Sequence, residues 1–410
     1  MEPFLITYWC GPLYEESKLE ERYDEVAEAG FTLACPSMSS HLSKEANIAI
    51  LDMCGKKGLK YIVQDARMDK ALKAAEGEWQ AEIDAIMADY GDHPALYGYY
   101  IHDEPNAREF RRQGDIVARM RAKDPSKVGY INLFPNYASK EQLGTDTYDD
   151  HVERYMNEVK PSLLSYDHYH FLGRRTDARS MTFASERDRL IYQDAFKEED
   201  RGGFFDNIEV IRRAAHKHGV PFKVIVLVVT HGPYRDLTEA EIRWEVYQCL
   251  AYGTSGISYF TYWTPEPEPV WTFENGIITY EGERTAHYEE VKRINAELHV
   301  VGNLLAGRAS QAVYHVGPEK EAVEPFIGTP ELLAIEGGRA TVGLFEGGYV
   351  VIANKDYVHE TAFELQLASG IGVSIIDKRT GKPQPLPIEN GRVAIRLPAG
   401  DGALLKLSNS

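Results

Sequence analysis

Residues 96–106 read Leu96-Tyr97-Gly98-Tyr99-Tyr100-Ile101-His102-Asp103-Glu104-Pro105-Asn106, an apolar, aromatic run that ends abruptly in two carboxylates, a proline and an amide. A charged segment with helical spacing, 107–122, follows at once. In a regular strand Gly98, Tyr100, His102 and Glu104 share one face, while Asp103 points to the other. Carboxylates at the C-terminal end of a strand, just before a helix, sit where parallel barrels gather their working groups. Taken alone, the same residues also read as an acidic first turn and a proline start for the next helix. The surrounding pattern decides between the two.

Strand-like runs at 4–9, 31–35, 60–64, 97–101, 128–133, 163–169, 222–229 and 256–263 alternate with helical spacing. The helical segments fall near 18–29, 44–57, 77–90, 107–122, 147–159, 204–218, 239–252 and 284–304. Gly30, Gly58 and Gly219-Val220-Pro221 stand where helices should stop. Residues 224–229 are apolar without a break, as a parallel strand buried on both faces requires. Eight β-then-α units predict an α/β fold, a (β/α)8 TIM barrel over residues 1–305. Beyond it, glycine turns separate short alternating strands at 349–354, 362–366, 373–377, 393–397 and 403–407. Gly347-Gly348 and Asn390-Gly391 fit hairpin turns. Residues 306–410 are therefore expected to form a C-terminal all-β sandwich, either structural support or a carbohydrate-binding accessory.

The chain has 410 residues, which suit a barrel of about 250–300 residues plus a smaller module. Its net charge of −18 argues against nucleic acid or an anionic membrane surface as partner. No apolar run approaches the roughly 18 residues that span a bilayer. Cys10, Cys35, Cys54 and Cys249 show no short paired spacing, so zinc is not indicated. A Cys10–Cys35 bridge is geometrically open, but reduced core thiols are the expected state. A strand-like run begins at Phe4 with no leader ahead of it. That predicts a cytoplasmic protein, or a secreted or periplasmic one whose leader has been removed.

Chemistry collects at the strand ends. Trp9, Gln64, Asp65, His102, Asp103, Glu104, Asn132, Asp167, His168, Tyr169, His231, Tyr262 and Trp263 all fall there. Rings, carboxylates, amides and imidazoles around one mouth suit a polyhydroxylated ligand, and 11% of the chain is aromatic. There is no glycine-rich phosphate loop and no Gly-x-Ser-x-Gly elbow, so no nucleotide and no other cofactor is expected. His102, Asp167, His168 and His170 are metal-ligand types on nearby strands. Two-carboxylate sites also recruit histidine only to tune the acid, and no metal is expected. His216 and His218 close a helix, where imidazoles favour the dipole. The long connection 171–203 carries Arg174, Arg175, Arg179, Arg187 and Arg189. It reads either as a lid for an anionic substrate or as a solvated helix in which arginine alternates with Glu186, Asp188 and Asp194.

Residues 1–305 resemble the barrel glycoside hydrolases of clan A, which include many β-galactosidases. The most specific element is Asp103-Glu104-Pro105-Asn106, similar to the Asn-Glu-Pro motif that carries that clan's acid/base glutamate on strand four. The segment 256–263 also looks like the clan's eighth strand, whose aromatic residue floors the sugar subsite. The resemblance implies a hydrolase with Glu104 as proton donor. It fails at strand seven, where the clan keeps a nucleophilic glutamate and this chain reads Val229-Thr230-His231-Gly232-Pro233. Three readings follow. Asp167 on strand six supplies the second carboxylate, as nucleophile or as water-activating base. Alternatively, Asp103-Glu104 acts like the Asp-Glu pair of N-acetylhexosaminidases, where the substrate's acetamido group is the nucleophile; strict alternation opposes this unless the strand bulges. Third, the protein is a carbohydrate-binding barrel without hydrolysis. In the first reading Trp9 and Trp263 are stacking platforms. Asp103, His102, Asn132, His168, Tyr169, His231 and Tyr262 then contact a carbohydrate substrate.

Overall fold

A computed structural model describes residues 3–37, 42–75, 77–173, 200–268 and 271–409. Eight parallel strands come first: β1 Leu5–Trp9, β2 Leu33–Ala34, β3 Lys60–Val63, β4 Leu96–Asp103, β5 Val128–Asn132, β6 Leu164–Asp167, β7 Phe222–Leu227 and β8 Gly256–Phe260. Between and after them run α1 Leu19–Glu28, α2 Lys44–Lys56, α3 Ala66–Lys73, α4 Trp79–Tyr90, α5 Phe110–Lys123, α6 Lys140–Leu143, α7 Tyr148–Glu158, α8 Phe204–His218, α9 Glu239–Ala251 and α10 Ala286–Leu305. The strands pair in two parallel sheets, in the orders β1-β8-β7-β6 and β2-β3-β4-β5. Backbone bonds also cross between the two sheets. Leu133 N–H donates to Ser165 O (2.8 Å), beside a parallel bridge from Leu133 to Tyr166, and Thr32 N–H donates to Ile6 O (2.8 Å).

Local chemistry sets the helix ends. Ser43, Thr147 and Thr285 cap α2, α7 and α10 through their hydroxyls, and Thr238 with Glu241 forms a capping box on α9. Two helices escape the periodicity. α3 starts on Asp65, which accepts from Arg67 N–H, and α6 starts on a Ser139/Gln142 capping box. Both are short enough for a single capping residue to decide them.

The face of the parallel sheets turned away from the helices is polar at mid-height. Thr7 Oγ1 lies 3.4 Å from Cys35 Sγ, Tyr130 OH lies 2.8 Å from Ser165 Oγ, and Lys223 Nζ stands 4.7 Å over the Tyr130 ring. These contacts join β1 to the end of β2, and β5 to β6 and β7. All four cysteines are free thiols. The arginines of segment 174–199 lie outside the described residues. No described helix is long and apolar enough to cross a membrane.

The C-terminal strands are β9 Ser310–Val316, β10 Leu332–Glu336, β11 Ala340–Phe345, β12 Tyr349–Asn354, β13 Thr361–Leu367, β14 Ile371–Ile376, β15 Pro383–Pro385, β16 Arg392–Leu397 and β17 Gly402–Asn409. They form a three-stranded sheet, β10-β13-β16, and a six-stranded sheet, β15-β14-β17-β12-β11-β9, both antiparallel. Val350, Ile352 and Leu405 belong to the apolar core that holds the two sheets together. Val351, Ala353 and Leu404 belong to the core shared with the helices. Burial on both faces explains why β12 is apolar from Val350 to Ala353. Trp244 Nε1 and Gln248 Nε2 of α9 donate to the carbonyls of Lys355 and Asn354 (3.2 and 3.3 Å), pinning that helix under the larger sheet.

A tight point of this packing is Gly343, where an added Cβ would stand 2.0 Å from Ala251 O. Gly343→Ala should therefore lower stability by about 1–3 kcal/mol, read as a lower thermal midpoint. Gly202→Ala, where nothing lies within 4 Å, should leave the midpoint unchanged.

Candidate active site

Strand β4 does not alternate regularly. Its register against β5 runs Tyr100 to Tyr130, His102 to Ile131 and Asp103 to Asn132, with a slip between Tyr100 and His102. One extra residue in a strand moves everything after it to the opposite face. Asp103 therefore shares the inner face with Tyr100, Tyr130 and Asn132, where strict alternation sends it outward. His102 takes the outward place, its side chain 34% exposed and 3.7 Å from Glu109. The next residue, Glu104, has φ +48, a left-handed backbone that costs a non-glycine residue about 1–3 kcal/mol. Its N–H donates to Asn132 O (2.9 Å), which holds the turn. Cys10, leaving β1, is left-handed too, at φ +53.

Asn132 is the hub. Its Nδ2 donates to Asp167 Oδ1 at 2.8 Å and to Asp103 Oδ1 at 3.3 Å, so the two oxygens lie no more than 6.1 Å apart. Glu104 joins them. Burial first, then the charges of Asp167 and Asp103, push its carboxyl far above the usual range. Burial and the Asp103 charge likewise raise Asp167, against the pull of the Asn132 hydrogen bond. Asp103 is lifted to about 6 by burial, again opposed by Asn132. Three buried carboxyls in mutual repulsion cannot all ionise near neutral pH, so the cluster holds protons there.

Rings enclose it. Trp9 packs against Tyr100 and Tyr130, each 5.9 Å away, and forms an aromatic floor. Tyr169 stacks on Phe260 (5.3 Å, 26° between planes) and meets His231 edge-on at 5.8 Å. Burial and then Asp167, Tyr137, Glu104 and Asp103 raise the Tyr169 hydroxyl, which places it beside the carboxylates. His231 lies against Phe273 (5.3 Å) and Trp271 (5.8 Å), and its Nδ1 is 3.1 Å from Val229 O.

Other expected contacts are placed elsewhere. His168 turns to α8, with Nδ1 3.0 Å from Asn207 Oδ1, and burial lowers its pKa to about 3, leaving it neutral. His170 stacks on Trp244 at 4.7 Å. His168 and His170 thus both pack against Phe204 of α8, while His102 points away to Glu109. Among the described residues no group of three histidine, cysteine or acidic side chains could hold a metal. Strand β8 stops at Phe260, and a cis peptide to Thr261 follows. Phe260 occupies the inner position, while Tyr262 stacks on Tyr8 (4.7 Å) with Phe31 edge-on at 5.6 Å. Trp263 donates Nε1–H to Tyr280 O (3.1 Å) and carries Arg22 4.9 Å over its ring, so one face is already covered. Tyr100 and Phe260 fit the two-residue period once the strand limits are known. Trp271 and Phe273 sit in an irregular connection that gives no sequence signal.

No family model matches the chain, and no curated protein matches it. Solved structures do. A protein described as a glycoside hydrolase matches at TM-score 0.60 and 12% identity, over 99% of this chain and 93% of that one. A β-galactosidase from Rahnella sp. R3 matches at TM-score 0.56 and 10% identity, over 100% and 99%. A β-galactosidase from Marinomonas ef1 matches at TM-score 0.53 and 11% identity over 75% of this chain; the chain spans only 62% of that protein's length. At such identity the likeness is one of fold: a mixed α/β protein with parallel-strand sheets and an antiparallel-sheet region.

The carboxyl cluster makes a prediction about stability. A carboxyl whose folded pKa is raised holds its proton more tightly in the folded than in the unfolded state. Its contribution therefore falls as pH rises from the ordinary carboxylate range toward the raised value. Glu104→Gln removes that loss. Its melting temperature should gain on the wild type as pH rises from about 5 to about 9, by about 3 °C or more in all. A constant difference across this range, measured by calorimetry, contradicts the raised pKa.

Proposed function

We propose that the protein is a glycoside hydrolase whose eight parallel strands close into a (β/α)8 barrel over residues 1–305, with residues 306–410 as a separate β-sandwich. The hydrogen bonds that cross between the two parallel sheets support closure. The fold likeness to several solved glycoside hydrolases supports the enzyme class. One observation carries the chemistry: Asp103 and Asp167 share the Asn132 amide at the C-terminal ends of β4, β5 and β6, and Glu104, tied by its backbone N–H to the Asn132 carbonyl, lies beside them.

Glu104 is the general acid, kept protonated by burial and by its carboxylate neighbours so that it can protonate the leaving oxygen. Asp167 is the second carboxylate, as nucleophile or water-activating base; the end of strand seven, 229–233, supplies none. Trp9 floors the sugar site, Tyr169 and His231 wall it, and Asn132 fixes the carboxylates. The raised Glu104 runs against a purely carbohydrate-binding barrel, which needs no protonated acid at its mouth.

A second reading is favoured by the slip in β4. It turns Asp103 inward beside Glu104, the arrangement needed if Asp103 orients a substrate acetamido group and Glu104 is the acid. One panel separates the two: aryl glycosides, N-acetylhexosaminides included, with wild type and Glu104→Gln. Turnover should fall by roughly 10²–10⁴ in the variant on poor leaving groups. A requirement for the N-acetyl group moves the second role from Asp167 to Asp103. Equal rates in both proteins remove Glu104 from the acid role.

A further inference from the structure

Beneath the carboxylates a second set of hydrogen bonds has only one consistent direction. Ser165 Oγ donates to Asn132 Oδ1 at 2.9 Å. Its proton being committed there, the 2.8 Å contact between Tyr130 OH and Ser165 Oγ must be a donation from Tyr130. Asn132 is then left with both N–H bonds turned to Asp167 and Asp103. The opposite amide orientation would set Oδ1 against two carboxylate oxygens. Asn132, Ser165 and Tyr130 are all buried, so no solvent competes for these bonds. Lys223 Nζ stands over the Tyr130 ring from β7 and fixes its plane.

We propose that Ser165, held by Tyr130, is a positioning residue that locks the Asn132 amide with its two donors on Asp103 and Asp167, and thereby sets how readily these carboxylates carry charge. The lock deepens the hydrolase reading and rests on it only for its kinetic consequence. Amide donors favour the ionised form of a carboxyl, so the locked amide holds both aspartates below the values that burial alone would impose. Without Ser165, Asn132 Oδ1 loses its donor and the amide is held from the carboxyl side alone, so its two N–H bonds are less firmly kept on the aspartates.

Around the cluster the titratable neighbours are the Cys10 thiol and the phenols of Tyr100, Tyr130, Tyr137, Tyr169 and Tyr234, with Tyr148 and Tyr166 behind Asp167. Burial raises every one of them and keeps them neutral. Glu104 is the acid that faces the pair. Lys223 below and Arg201, which lies 4.1 Å over Tyr137, are the nearby cations.

The test is a carbon-13 NMR titration of aspartate side-chain carboxyls in the full chain, with Asp103 and Asp167 assigned by their asparagine variants. In Ser165→Ala, which removes only a hydroxyl, their midpoints should rise by about 1 on the pH scale. Tyr130→Phe should move them the same way by less. If hydrolysis is established, the acid limb of the kcat/KM profile should move up with them. A folded Ser165→Ala whose carboxyl midpoints match the wild type overturns the lock. If Ser165→Ala does not fold, unchanged midpoints in Tyr130→Phe overturn it instead. Neither result depends on the protein being a hydrolase.

Discussion

Everything at the mouth of the parallel strands depends on one amide. Asp103 and Asp167 come from strands on either side of β5, and two buried carboxylates so close would repel each other without a donor between them. Asn132 supplies that donor twice over, and its own backbone carbonyl receives Glu104 N–H. Three acids from two neighbouring strands are thus registered against a single residue on the strand between. The amide is buried and its other end is tied to Ser165, so the arrangement is rigid rather than adaptable.

The fold prepares this in two places. A one-residue slip in β4 turns Asp103 to the inner face and leaves Glu104 in a left-handed turn, a strained conformation retained where the surroundings hold it. The Trp9, Tyr100 and Tyr130 rings then remove water from beneath the carboxyls, which raises the cost of charge there. Farther out, α9 is clamped by the six-stranded sheet through Trp244, Gln248 and the close approach at Gly343, while its opposite side supports β7. The antiparallel region therefore steadies the helix behind one of the strands that carry the site.

Much of this was legible in the chain. The alternation of eight short apolar runs with amphipathic segments located every parallel strand to within a few residues, and the strand ends named Asn132, Asp167, Glu104 and Trp9 together. The slip in β4 was not legible, because a bulge belongs to the pairing of two strands and leaves no trace in either alone. Tyr262 and Trp263 lie elsewhere for a different reason: the strand-like run 256–263 is longer than β8, which ends at Phe260 before the chain turns away. Helices α3 and α6 rest on single caps rather than on periodicity, and β9 to β11 carry no clean alternation of apolar and polar residues. His168 sits beside Asp167 in sequence, yet its ring is claimed by Asn207 of α8, a partner no spacing rule reveals.

The central claim is that the cluster keeps a proton at neutral pH, and infrared spectroscopy tests it most directly. A protonated carboxyl has a C=O stretching band that a carboxylate lacks. Glu245, buried on α9 and raised far above the usual carboxylate range, contributes such a band of its own, so differences are needed. At pH 7 the wild-type spectrum minus that of Glu104→Gln, and minus that of Asp167→Asn, should leave a positive protonated-carboxyl band in at least one case. Flat difference spectra in this region for both variants, and for Asp103→Asn as well, would mean that all three acids are ionised, and would contradict the claim.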